Sequence, residues 1–290
     1  NSIVDSKGFR RLEFSSSPEI YDNSLQAWFK DMTNYDLSLM HFLFGAGAEI
    51  ANELGIKTEA AHWNKLKSQL PDFDLDNEGS LTFAKGFPYN ASHRHFSHAL
   101  AIHPLGIIDW SDGEKAQRII RATLKKMNDY GPDYWTGYTY SWFANMQARA
   151  FNGEEAAKAL RTFAECFCLK NTFHANGDQS ASGKSKFTYR PFTLEGNFAF
   201  AAGIHEMLLQ SHTGVIRVFP AVPESWKNVS FNNLRAMGGF LVSAALKDGK
   251  VVRLEIYAEK GGRLAVFSPF EHKVVEYDTQ PGSRIDLAVE

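Results

Sequence analysis

No apolar run in this sequence approaches the roughly 18 residues that a membrane-spanning helix needs, so no membrane partner is expected. The chain also does not open on a charged segment followed by an apolar one. It begins Asn-Ser-Ile-Val, and is expected to be a mature, trimmed or truncated product. Cysteine is nearly absent: Cys166 and Cys168 lie two apart on a predicted helix, where their side chains diverge and cannot readily close a disulfide. No redox compartment follows from them. Charge of either sign is not in excess, with 31 Lys and Arg against 33 Asp and Glu, a net charge of −2 and a pI near 6.6. Without a basic field to gather phosphates, no nucleic-acid partner is expected, and the expected substrate is neutral or nearly so. What the chain has in quantity is aromatic residues, 23 Phe, 10 Tyr and 6 Trp, which suit a filled core and also suit stacking on sugar faces.

From residue 33 to about 212 the apolar residues recur with a helical period. The first run aligns Leu37, Met40, Phe44, Ala48 and Ala51, with Thr33 or Asn34 as N-cap and Gly55 as stop. A second starts at Thr58 and ends against Pro71, and residues 72–92 read as a long loop on the substrate side. Further helices are predicted from the Asp112 cap to Gly131, over 138–151, after the Asn152 cap, and from Gly196 to about Ser211. Helices that follow one another without strands form antiparallel hairpins, in a bundle or a closed ring. After residue 213 the period changes to two, and Lys-Asp-Gly-Lys at 247–250 and Gly261-Gly262 read as tight turns. The fold class is therefore mainly α with a C-terminal β-domain. Residues 1–212 are helical, and residues 213–290 form a small antiparallel β-sandwich.

Four segments could carry chemistry. Ser15-Ser-Ser-Pro-Glu19 offers a carboxylate after a proline-stiffened turn, and Thr193-Leu-Glu195-Gly-Asn197-Phe198 offers a carboxylate, a glycine for close approach and an amide at a helix start. Each is also explained by an ordinary glutamate in a first helical turn. His93-Arg94-His95-Phe96-Ser97-His98 gathers hydrogen-bond donors for hydroxyl groups. The spacing of His95 and His98 permits a metal, but no cysteine or carboxylate with ligand spacing accompanies them, so neither metal nor cofactor is expected. Trp135, Tyr138, Tyr140 and Trp142 form either an aromatic wall or a core face.

In order along the chain, Ser-Pro-Glu at 17–19, His-Arg-His at 93–95, Thr-Gly-Tyr at 136–138, Ala148-Arg149 and Glu195-Gly-Asn-Phe are followed by Glu206-Met-Leu-Leu-Gln-Ser-His-Thr-Gly214, Pro220-Ala-Val-Pro-Glu-Ser-Trp226 and Leu234-Arg-Ala-Met-Gly-Gly-Phe240. That series resembles the C-terminal part of the α-L-fucosidases of glycoside hydrolase family 95. The resemblance implies part of an (α/α)6 toroid with an appended β-domain, and hydrolysis of terminal α-L-fucose, or the related L-galactose, with inversion. It implies Glu19 as general acid, Glu195 in the place of the acid that drives an asparagine-held water, and Arg94 and His95 as sugar ligands. His93, Trp135, Tyr138 and Asn197 are expected to line the substrate. An acid that donates a proton near neutral pH should lie in a partly apolar surrounding that raises its pKa, and this is expected of Glu19.

Two departures from the family pattern bear on this. Glu195 stands where the pattern has aspartate, and its longer side chain alters where a water is held. The pattern's asparagine pair and the other half of the ring lie upstream, with no Asn-x-Asn at the start of this chain. The partners expected are therefore a glycan or oligosaccharide and the remaining N-terminal part of the enzyme, in the same or a complementary chain. A secreted or periplasmic location accompanies the family. A non-catalytic carbohydrate-binding protein on the same scaffold is the alternative.

Overall fold

A computed structural model describes residues 2–287. Contacts divide the chain into two compact units. One runs to Trp135 and includes Gly183–Phe187, and the other comprises Thr136–Ser182 and the chain from Thr188 onward.

The first unit opens with two short ribbons, β1 (Ile3–Val4) with β2 (Arg10–Arg11) and β3 (Ser15–Ser16) with β4 (Trp28–Phe29). Helix α1 (Asn34–Glu53) starts where Thr33 Oγ1 accepts the Asp36 N–H, and the chain leaves it through Gly55 at φ 72°. It packs against α2 (Lys57–Ser68) through Leu37, Phe44, Trp63 and Leu66, with Met32 and Leu70 closing the cluster. Gly47 is needed there, because a Cβ would lie 2.7 Å from the Trp63 ring. The segment expected as a loop holds a small ribbon, β5 (Thr82–Ala84) with β6 (Phe87–Pro88), turned at Gly86. The buried Asn34 amide ties this segment to the start of α1 by donating to the carbonyls of Asp74 and Thr82, both at 2.8 Å. Helix α3 (Glu114–Tyr130) follows, but Asp112 does not cap it. Asp112 closes a capping box with Asp109 around a single 3-10 turn, and Gly113 leads into the helix.

The second unit holds α4 (Gly137–Arg149), α5 (Gly153–Cys166) and α6 (Glu195–Leu208). Helix α4 is buried on nearly every side, with α5 and α6 packed on it. Its buried Arg149 forms a bidentate pair with Glu206 of α6 at 2.7 and 2.8 Å. Asn152 caps α5, and Cys166 and Cys168 are both free.

The β-region comprises β7 (Leu209–Gln210), β8 (Val215–Val218), β9 (Val229–Ala236), β10 (Phe240–Lys247), β11 (Lys250–Ala258), β12 (Gly262–Ser268), β13 (Lys273–Thr279) and β14 (Arg284–Leu287). They form two four-stranded sheets, ordered β14-β11-β10-β9 and β13-β12-β8-β7, around one apolar core that includes Val242, Leu254, Ile256, Leu264 and Val266. Asp248 and Gly249, at φ 50° and 77°, make the primed two-residue turn expected between β10 and β11. Gly261-Gly262 does not join neighbours in one sheet; it carries the chain from β11 in the first sheet to β12 in the second. The sandwich is also not wholly antiparallel, because β12 pairs parallel with β8.

Candidate active site

The Ser-Pro-Glu segment is anchored at both ends. Ser17 is fully buried with its Oγ 2.6 Å from Ser97 Oγ, and Ile20 and Ala27 enter the core. Between these anchors Glu19, Tyr21, Asp22 and Asn23 all have left-handed φ, from 49° to 63°. Non-glycine residues in that region are strained by about 1–3 kcal/mol each, and such strain collects at functional sites.

Glu19 is held through both its backbone and its carboxylate. Its N–H donates to Asn23 Oδ1 at 2.8 Å, its carbonyl lies 3.2 Å from His93 Nε2, and its Oε2 meets Arg94 Nη2 at 2.6 Å and His95 Nε2 at 3.8 Å. The His95 N–H donates to His93 Nδ1 at 3.0 Å, which leaves Nε2 as the protonated nitrogen that donates to the Glu19 carbonyl. Glu19, His93, Arg94 and His95 are thus brought together. The turn delivers the Glu19 carboxyl onto the Arg94 guanidinium. Burial pushes the His95 pKa down to about 4, with the fields of His93 and Arg94 adding to this and that of Glu19 opposing it. His95 is therefore uncharged near neutral pH, and its 3.8 Å approach to Glu19 is not an ion pair there.

His98 is completely buried among Phe83, Tyr89 and Phe96, stacked on Tyr89 at 5.0 Å, and neither of its ring nitrogens has a hydrogen-bond partner among the described residues. Burial lowers its pKa to about 3. Trp135 is likewise in the core at 3% exposure, edge-on to Phe96 at 5.3 Å, so it presents no wall to a substrate. A cavity of about 250 Å³ adjoins Glu19, lined by Tyr21, Asp22, Ser92, His93, Arg94, Tyr134 and Phe187.

In the second unit Glu195 is exposed in the first turn of α6. Tyr138 is half-buried beside Trp142, and burial followed by the negative charge of Glu195 raises the pKa of its hydroxyl. Asn197 accepts the His174 N–H at 3.0 Å and donates to the Thr172 carbonyl at 2.9 Å. Both ends of its amide thus hold backbone, where sequence reasoning had it facing substrate.

His174, which sequence reasoning missed, is the centre of this unit's motifs. Its imidazole is fully buried with Nδ1 2.7 Å from Thr193 Oγ1, and it fills the space left by two glycines. A Cβ on Gly137 would lie 2.4 Å from its Nε2, and one on Gly196 would lie 2.5 Å from its Nδ1. Burial lowers its pKa, opposed by the Glu195 charge. The glycines of Thr-Gly-Tyr and Glu-Gly-Asn were the available signal, since each marks a place where something approaches the backbone. Among the described residues no group of three or more His, Cys, Asp or Glu is arranged to hold a metal ion.

The chain matches the family model described as the glycosyl hydrolase family 95 catalytic domain over residues 3–208, and that of the glycoside hydrolase family 95 C-terminal domain over residues 210–286. It is similar to alpha-L-fucosidase 2 of Arabidopsis thaliana, 31% identical over 268 residues that cover 89% of this chain and 31% of the relative. It is also similar to the probable alpha-fucosidase A of Aspergillus niger, 23% identical over 247 residues that cover 81% of this chain and 28% of that protein. The chain thus spans less than a third of the length of these relatives.

Proposed function

This chain belongs to glycoside hydrolase family 95, and on that premise we propose that it carries the C-terminal part of an inverting, exo-acting hydrolase of terminal α-linked L-fucose, or of L-galactose, in glycans. The observation that carries the reading is the hold on Glu19, whose N–H, carbonyl and carboxylate are each fixed by Asn23, His93 and Arg94. Orientation of that kind is what a proton donor to a leaving oxygen requires.

Inversion needs a second carboxylate across the ring, about 6.5–9.5 Å from the first, with water between them. Glu195 takes that role, with Tyr138 beside it. Arg94 and the neutral His95 bind sugar hydroxyls. A hydroxyl that takes a donor from Arg94 loosens the guanidinium from Glu19, so that sugar binding readies the acid to carry the proton it donates.

The helices form part of an (α/α)6 ring, with residues 1–212 as its share and residues 213–290 as the appended domain. The outward stripe of α1, with Phe42, Leu43 and Ile50 at 50%, 57% and 60% exposure, and Phe198 of α6 at 68%, are the surfaces that the ring's other helices cover.

The test is turnover of a nitrophenyl α-L-fucoside by the protein with its ring completed. Glu19→Gln is expected to lower kcat by about 10²- to 10⁴-fold while L-fucose still quenches or shifts tryptophan fluorescence. Unchanged turnover in that variant ends the enzymatic reading. A change in affinity alone, with no turnover in either protein, supports the non-catalytic sugar-binding alternative.

A further inference from the structure

Successive side chains of a strand point to opposite faces, so of the pair Trp28-Phe29 in β4 only one can enter the core. Phe29 does so at 4% exposure, and its ring meets Phe87 edge to face at 4.8 Å. Trp28 is left outward and 56% exposed. Among the described residues its indole packs on no other ring and no cation. The Phe29 contact also brings up the β5–β6 hairpin, whose two-residue turn is Lys85-Gly86.

Between these two ribbons lies a cavity of about 270 Å³, whose lining includes Gln26, Trp28, Lys30, Asp31, Lys85 and Phe87. It shares no lining residue with the cavity beside Glu19. The volume falls below the roughly 300–1,000 Å³ of pockets for drug-sized molecules and suits a single sugar ring. Its polar groups are uncommitted: Gln26, Lys30 and Lys85 make no side-chain hydrogen bond among the described residues. Two ammonium groups share the lining with one carboxylate, that of Asp31, whose Oδ1 is also 4.0 Å from Arg11 Nη1. The lining therefore carries net positive charge. An indole face takes the apolar C–H face of a pyranose, and an amide pairs with its hydroxyls. An ammonium only donates, and binds an anionic group more strongly than a neutral one. A bare inorganic anion leaves the indole unused, and a neutral sugar leaves the charge unused.

We propose that this cavity is a second glycan-binding site, apart from the one at Glu19, and that it takes a pyranose bearing a negative group, a carboxylate or a sulfate. Calorimetric titration of the protein with its ring completed compares trigalacturonate, a monosulfated galactotriose and uncharged galactotriose. At least one acidic probe is expected to bind about tenfold tighter than the neutral one, and the tighter of the two identifies the acidic group. Trp28→Ala, and Lys30→Met combined with Lys85→Met, are each expected to weaken that binding about tenfold and to leave turnover of a nitrophenyl α-L-fucoside unchanged. The lysine pair changes exposed side chains only, and serves if the tryptophan variant does not fold. Equal binding of all three probes, binding that survives both variants, or no binding at all, as when the rest of the ring covers Trp28, overturns the proposal. So does hexaglutamate binding as tightly as the acidic sugars without dependence on Trp28, which marks a merely charged surface. Binding is read without turnover, so an inactive protein ends the hydrolase reading and leaves this site standing.

Discussion

A methyl group added to Gly137 or Gly196 has no room, because the His174 ring already lies within 2.5 Å of either position. Gly137→Ala and Gly196→Ala should each destabilise the fold by about 1–3 kcal/mol, read as a shift in the denaturant midpoint. Combining Gly196→Ala with His174→Ala should restore part of the loss, and strict additivity of the two would show that the contact is not the cause. The need for close approach at Gly196 was legible in the sequence. Its partner was not, since His174 comes from an aperiodic stretch that no pattern links to either motif. His98 supports a second expectation. An unfolded histidine takes up a proton near pH 6.5, but buried His98 resists it down to about pH 3 and His95 down to about pH 4. Stability is therefore greatest above pH 6.5 and falls as the pH drops through that window, by about 1.4 kcal/mol per pH unit for each proton withheld by the fold. His98→Phe gives up no hydrogen bond and keeps an aromatic ring among Phe83, Tyr89 and Phe96. It should flatten the acid limb of a stability-versus-pH curve and change little at pH 8; an unaltered acid limb would count against the assignment.

At the scale of elements, the long periodic runs were readable because caps and stops agree with the period. Thr33 and Gly55 bracket α1, Asn152 starts α5, and Asp248-Gly249 turns β10 into β11. Thr33→Ala should cost about 1–2 kcal/mol in thermal or chemical unfolding, with Thr33→Ser close to the parent, because the hydroxyl also lies 2.9 Å from buried Ser15. What the pattern hid was either very short or governed by distant partners. Strands β5 and β6 are three and two residues long, too brief for alternation to show. Asp112 carries the chemistry of a cap, but Asp109 claims it three residues earlier. Trp135 belongs to an aromatic-rich motif whose ring positions resemble a binding wall until its burial and its edge contact with Phe96 are known.

For the molecule as a whole, the proposed ring makes the isolated chain a poor catalyst. Residues 1–290 alone should show little hydrolysis of a nitrophenyl α-L-fucoside, and adding the rest of the ring should restore it; family-like rates from the chain alone would contradict the ring proposal. Placing charge on the uncovered stripe of α1, with Phe42→Glu and Leu43→Glu together, should keep the isolated chain dispersed yet block that restoration. Chain order in the β-region has a further consequence for biosynthesis. Strand β8 leaves the ribosome early but takes its parallel neighbour β12 only after β9, β10 and β11 have been made. Throughout that interval a row of amide and carbonyl groups on β8 lacks its mate and invites pairing with other nascent chains. A stop codon falling before Gly262 would make that transient hazard permanent.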